Sequence, residues 1–304
     1  MKMIAINKHN TKPKNWSVEM PNAPYSNRYL QYRENKIMKK ITLLLILSFA
    51  IKSFALKPDL KYLQKPDELN ISYEEYFVST PDNFKLKTWV CSPQKELDNK
   101  KTIILAYGDA GNMSYWLSQV AELVKNGFTV VTFDYRGFGE SDYFKIDNDY
   151  LYYNEFANDL VSVIRWTKNK TTENHIGIWA LSMGTIMSTL AIQEESVDFL
   201  IAEGFVISPK KIKQVIKELK NKDIFLPTDS DRYEIALNQL SIKTLLFSGE
   251  QDIVTTVKDS KYVKSLNGQN KLIEFNGNHL QGFQVLSSND FGDRYIAEII
   301  DFLK

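Results

Sequence analysis

The sequence predicts an α/β fold, a mostly parallel sheet with helices on both faces. Three observations carry that expectation. From Leu56 to Lys304, short apolar runs alternate with segments whose apolar residues recur at helical spacing. Thr102 to Tyr107 is apolar without alternation, the pattern of a strand buried on both faces. The run Ile176-Gly177-Ile178-Trp179-Ala180-Leu181-Ser182-Met183-Gly184-Thr185 reads as a strand ending at a small-x-Ser-x-Gly turn, with helix-like Met183 to Glu194 directly behind it.

Taken in order, Tyr73 to Ser79 and Phe84 to Cys91 read as strands joined at the turn Thr80-Pro81-Asp82-Asn83, an antiparallel opening hairpin. Thr102 to Tyr107 follows as a strand. Trp116 to Lys125 is helical through Trp116, Val120, Leu123 and Val124, and ends at Asn126-Gly127. Phe128 to Phe133 is a strand, and Tyr152, Phe156, Leu160, Val163 and Trp166 mark a helix. After the Ser182 turn and its helix, Phe199 to Ala202 is a short strand. Residues 205–241 interrupt the alternation with a lysine-rich amphipathic helix, Lys210 to Lys222, and a second helix, Asp231 to Leu240. That stretch is too small for a domain and reads as a cap-like insertion. Lys243 to Phe247 and Lys271 to Phe275 are the last strands, with Lys258 to Leu266 helical between them and Phe291 to Leu303 a closing helix.

Composition narrows the function. Of 304 residues, 43% are hydrophobic and 25% charged, ordinary for a globular protein. A formal net charge of +1 gives no electrostatic case for nucleic acid. Cys91 is the one cysteine, so neither a disulfide nor a cysteine-based zinc site can form within one chain. The three histidines are His9, His175 and His279, which leaves few candidates for imidazole chemistry.

The first 55 residues read as lying outside the fold. Met38-Lys39-Lys40 opens a basic start, and Ile41 to Ile51 is an apolar run. It is far shorter than the roughly 20 residues of a membrane span. Ser53-Phe54-Ala55 closes it with small residues where a signal peptidase reads. Residues 38–55 are therefore expected to be a signal peptide starting at Met38, and 1–37 an upstream non-native or disordered extension. The domain then covers 56–304, and the protein is expected to be secreted or periplasmic. The alternative is an ordinary N-terminal anchor or apolar helix. No cysteine directly follows the apolar run, so a lipoprotein anchor is not expected.

A serine hydroxyl needs a base, and the base needs an orienting acid. His9 precedes the signal. His175 begins the strand that ends at Ser182, which puts it about 20 Å away along an extended chain. His279 follows the strand Leu272 to Phe275 and the loop Asn276-Gly277-Asn278, at the sheet edge where the Ser182 turn opens. Asp252 follows the strand through Phe247. Glu250, directly after Gly249, competes with it but is expected to turn outward. The order Ser182, Asp252, His279 leaves room for one helix and one strand between acid and base.

From about Tyr73 to Lys304 the chain resembles the α/β-hydrolase fold serine hydrolases, in their lysophospholipase-like and serine-aminopeptidase-like branch. Four segments carry the resemblance: Tyr107-Gly108-Asp109-Ala110-Gly111-Asn112, Asp134-Tyr135-Arg136-Gly137-Phe138-Gly139-Glu140-Ser141, Ala180-Leu181-Ser182-Met183-Gly184, and Gly249-Glu250-Gln251-Asp252 with Asn278-His279. It implies that the backbone N–H groups of Asp109 and Met183 form an oxyanion hole, where one donor is worth about 3 to 4 kcal/mol. The family commonly has His-Gly-Asn where this chain has Tyr107-Gly108-Asp109. An inward carboxylate at 109 would oppose the oxyanion or hold a cationic substrate group; the simpler expectation is that it points outward or accepts loop N–H bonds. Tyr107 could lend a hydroxyl, but packing is favoured. Arg136 is expected to make a buried or semi-buried ion pair that supports the loops around the site.

The resemblance implies a serine hydrolase cleaving carboxylic esters, of carboxylesterase or lysophospholipase type, through an acyl-enzyme on Ser182. The alternatives are a serine peptidase or amidase of aminopeptidase type, and a non-catalytic hydrolase-fold binding protein. No metal or organic cofactor is implied. The substrate is a small-molecule or lipid ester, and the oligomeric state is open. Tyr143, Tyr150, Tyr152 and Tyr153 either line a rim of the site or pack in the core, with packing favoured. Lys210, Lys211, Lys213, Lys217 and Lys220 could make a weak contact with an anionic membrane surface. A solvated helix face explains them equally well.

Overall fold

Apolar strands flanked by helices assemble one twisted sheet. The structure, a computed structural model, describes residues 56–171 and 175–304. The signal peptide expected over 38–55 and the extension over 1–37 lie outside the described residues. The strands are β1 (Ser72–Ser79), β2 (Lys85–Ser92), β3 (Lys101–Ala106), β4 (Thr129–Phe133), β5 (His175–Leu181), β6 (Phe199–Glu203), β7 (Thr244–Gly249) and β8 (Lys271–Phe275). They form an eight-stranded sheet in the order β8-β7-β6-β5-β3-β4-β2-β1. Every neighbouring pair is parallel except those of β2, which runs antiparallel to β1 and to β4. The expected hairpin is the β1–β2 pair, its turn held by Thr80 Oγ1 accepting from Phe84 N at 2.9 Å.

The helices are α1 (Leu117–Lys125), α2 (Tyr153–Lys170), α3 (Gly184–Glu194), α4 (Pro209–Lys220), α5 (Asp231–Asn238), α6 (Val257–Ser265), α7 (Gly282–Val285) and α8 (Asp293–Phe302). Trp179 of β5 packs against Trp116, Phe283 and Tyr295, on the face covered by α1 and α8. Truncating such a fully buried ring typically costs about 3–5 kcal/mol. Its neighbours Ile178 and Ala180 point to the opposite face, where α2, α3 and α5 pack together. The predicted layered α/β architecture is thus the observed one.

Differences from expectation are local. The helix expected from Trp116 begins as a 3₁₀ turn, Met113–Trp116, because the Asn112 side chain accepts from Ser114 N at 3.0 Å and tightens the entry. Two-residue strands at Lys57–Pro58 and Ala110–Gly111 pair in parallel, and α7 follows His279; neither was expected. Within 205–241, α4 starts on Ser208, whose hydroxyl accepts from Lys211 N at 3.3 Å, with Pro209 preset for the first turn. It stops two residues earlier than expected, with Asn221 in the left-handed region at φ 49°. Lys210, Lys211 and Lys217 reach the carboxylates of Asp231, Asp259 and Asp223. Part of the charge on α4 is therefore paired within the chain.

Candidate active site

Ser182 is the hinge between β5 and α3. It adopts φ 52°, a left-handed conformation that costs a non-glycine residue roughly 1–3 kcal/mol. Its backbone N–H donates to Glu203 O at 2.9 Å. Its carbonyl accepts from Thr185 N at 2.9 Å and Thr185 Oγ1 at 2.7 Å. The turn needs bare backbone at 184: a Cβ there would lie 1.9 Å from Ala106 O. Even a methyl group collides at that position.

Three of the expected side chains meet in one hydrogen-bonded line. His279 Nε2 lies 2.8 Å from Ser182 Oγ, and His279 Nδ1 lies 2.6 Å from Asp252 Oδ2. A carboxylate beside Nδ1 holds the proton there and leaves Nε2 to accept from the hydroxyl. Asp252 is itself well held: Val254 N and Thr255 N donate to Oδ1 at 2.8 and 2.9 Å, and Thr255 Oγ1 donates to Oδ2 at 2.6 Å. Burial works to raise the Asp252 carboxyl, but the His279 and Thr255 bonds outweigh it, and the group lies below its usual range. Burial likewise works to lower His279, and the Asp252 bond and charge reverse it, so the imidazole lies above its usual range.

Other predicted residues fall as follows. His175 is exposed at the opposite end of β5, 3.8 Å from Asp198 and far from the line. Glu250 is exposed, its N–H donating to Phe275 O at 2.9 Å. Met183 precedes the first turn of α3, where helical N–H groups lack intrahelical partners. Asp109 lies between β3 and the short strand at Ala110, half-buried, its charge acting on His279. The Tyr107 ring is buried and its hydroxyl donates to Asp134 Oδ1 at 3.0 Å, so that hydroxyl serves the loop and not a substrate. Arg136 makes a buried pair to Asp159 at 2.6 Å and a semi-buried one to the half-exposed Asp82 at 2.5 Å, tying the β1–β2 turn to α2. Among the tyrosines, Tyr153 is core, Tyr150 and Tyr152 are half-buried, and Tyr143 is exposed.

Several supporting residues escaped sequence reasoning. Asp134, fully buried, accepts from Met113 N at 2.8 Å and Tyr62 OH at 2.7 Å as well as Tyr107, gathering both ends of the 107–113 loop. Burial lifts its carboxyl to about 6. Thr255 braces Asp252, and Glu203, a buried acid at the end of β6, adjoins both the Ser182 turn and the His279 segment. A lone carboxylate closing the apolar run Phe199 to Ala202 was the available signal for Glu203. Among the described residues, no group of three or more His, Cys, Asp or Glu side chains is placed to hold a metal ion. None of the described helices is long and apolar enough to cross a membrane.

Comparison with known proteins agrees with this architecture. Residues 98–222 match the family model of the serine aminopeptidases, S33. An uncharacterized 31.7 kDa protein from the traX-finO intergenic region of Escherichia coli is 34% identical over 105 residues, 33% of this chain and 36% of that relative. The lysophosphatidylserine lipase ABHD12 of Rattus norvegicus is 26% identical over 166 residues, 47% of this chain and 40% of the lipase. The chain therefore spans well under half the length of either relative. The Pyrococcus furiosus esterase Pf2001 superposes with a TM-score of 0.66 at 19% identity, covering 83% of this chain and 97% of the esterase. By its sheet order and these structural neighbours, the chain has the α/β-hydrolase fold, and its residues 98–222 are similar to the serine aminopeptidases, S33.

Proposed function

We propose that the protein cleaves carboxylic esters through an acyl-enzyme on Ser182. The observation that carries this reading is the Ser182–His279–Asp252 line, with the serine at a strained turn. In the first half-reaction, Ser182 Oγ attacks the ester carbonyl while His279 Nε2 takes the hydroxyl proton. The tetrahedral oxyanion is held by the N–H groups of Met183 and Asp109. Collapse breaks the bond to the leaving alcohol, which receives the proton from His279. Water then repeats the sequence on the acyl-serine, releasing the acid and restoring Ser182. Asp252 keeps the imidazole in the useful tautomer and stabilises its charged form.

Labelling by a fluorophosphonate probe tests the assignment. The wild type is expected to be labelled and Ser182→Ala not; equal labelling of both removes Ser182 as nucleophile, and labelling of neither favours a non-catalytic binding protein. The lipase and esterase among the relatives support an ester of carboxylesterase or lysophospholipase type, while the matched family model favours amide cleavage at a peptide amino terminus. Turnover of p-nitrophenyl esters against aminoacyl anilides separates the two. We also propose export through the segment starting at Met38. A mature N-terminus at Leu56 supports this, and retention of residues 1–37 refutes it.

A further inference from the structure

We infer that Glu203 is a positioning residue: buried between them, it ties the turn carrying Ser182 to the segment carrying His279. The inference rests on the acyl-enzyme reading of Ser182 and His279. Glu203 ends β6, opposite Leu181 of β5 in the parallel register. Its main chain holds the nucleophile's turn through the 2.9 Å bond from Ser182 N. Its side chain, only 3% exposed with the rest of the residue, accepts from Gly282 N at 2.6 Å. Gly282 lies three residues beyond His279, and Leu280 between them is held at φ 55°. One buried residue thus grips both sides of the proton-transfer pair.

The surroundings fix the carboxylate in turn. The Tyr295 hydroxyl donates to Glu203 and accepts from Trp179 Nε1 at 3.1 Å. The Tyr295 ring stacks on Phe247 with centroids 3.7 Å apart. Gly204 follows at φ 66°, and a Cβ there would sit 2.7 Å from His279 Cε1, so the imidazole rests against the backbone next to Glu203. The titratable groups facing the carboxylate are His279, Asp252 and Tyr295. Burial lifts the Glu203 carboxyl to about 7 and the Asp252 charge adds to the rise, against the Gly282 and Tyr295 bonds and the pull of His279. The Asp252 bond and the charges of Asp109 and Glu203 act together to raise the imidazole.

Two substitutions separate position from charge. Glu203→Gln keeps an acceptor for Gly282 N and removes the charge; Glu203→Ala removes both. Fluorophosphonate labelling rates of the full chain, followed from about pH 5 to 9, read out the base directly, with thermal melting to verify folding. Glu203→Gln is expected to label within about threefold of wild type across the range. Glu203→Ala is expected to label roughly 10- to 100-fold more slowly at every pH. A folded Glu203→Ala that labels at the wild-type rate, or a Glu203→Gln that labels as slowly as Glu203→Ala, overturns the inference. Should Glu203→Ala not fold, Glu203→Met, which keeps the side chain's length without an oxygen acceptor for Gly282 N, takes its place in the same assay. A wild type that resists the probe overturns the acyl-enzyme reading itself, a result distinct from either.

Discussion

Gly184→Ala is the sharpest test of the elbow's steric logic. The added Cβ would lie 1.9 Å from Ala106 O, 2.7 Å from Ala106 C and 3.0 Å from Tyr107 O. All three are main-chain atoms of a fully buried strand end paired with Ala180, so no side chain can rotate away. Relief to ordinary van der Waals contact needs a shift of about 1.5 Å or more. Overpacking of this kind costs about 1–3 kcal/mol or more, and at this domain size each kcal/mol lowers Tm by about 2–4 °C. The shift must be absorbed by the end of β3, which leads into Asp109, or by the start of α3, which carries Ser182 and Met183. Both hold the proposed reacting groups, and a misplacement near 1 Å slows reaction by about 10²-fold. Melting curves and fluorophosphonate labelling rates measure the two effects together. Gly268→Ala, where the Cβ meets nothing within 4 Å, is the control. If Gly184→Ala melts within about a degree of wild type and labels at the same rate, the elbow has slack that this reasoning denies.

Two further outcomes follow from charge. In Asp252→Asn the imidazole loses the bond and charge that raise it, so the acidic limb of ester turnover moves to lower pH. The plateau falls by about 10³- to 10⁴-fold because the tautomer is no longer held; a pH–rate profile with an unmoved limb, or a plateau within tenfold of wild type, refutes it. The second concerns stability. Burial raises Glu203 from 4.5 to about 7, so between those values the native state binds the proton that the unfolded chain has released. Stability from this group is complete at low pH and is lost as pH rises through about 7, a change on the order of 3 kcal/mol. Glu203→Gln should therefore gain in Tm relative to wild type between pH 5 and pH 8; a constant difference in Tm across that range argues against a buried ionisation.

Sequence periodicity revealed the strands because the central ones, β3 to β7, are largely apolar and buried on both faces, and most helices have one apolar stripe. The Ser182 turn, Asp252 and His279 were legible for a simpler reason: each follows directly on a recognisable strand. Asp252 could be preferred over Glu250 because the residue after Gly249 turns outward, as its exposure bears out. What stayed hidden depends on long-range approach. Glu203 and Gly282 are 79 residues apart, and no local pattern announces that a carboxylate will be buried against an amide so distant in sequence. Tyr107 was ambiguous because its partner, Asp134, lies 27 residues on, in a segment marked only by glycines and a serine. The short pairing of Lys57–Pro58 with Ala110–Gly111 has too few residues to show a period.

The hidden residues are also those that make the legible ones usable. Ser182 and His279 are 97 residues apart, and only the shared C-terminal edge of β5 and β8 brings them to 2.8 Å. Yet a common edge aligns strands to within a few ångströms, not to hydrogen-bond distance. The final adjustment is made by two left-handed residues, Ser182 at φ 52° and Leu280 at φ 55°, neither of which would hold that conformation unaided. Glu203 contacts the backbone beside both: its carbonyl takes Ser182 N, and its carboxylate takes Gly282 N. Thr185 also braces Ser182 through its carbonyl, but Glu203 is the buried point that the two turns share. Loosening that point should misalign the hydroxyl and the imidazole together, and so reduce the acylation rate more steeply than it reduces the stability of the sheet.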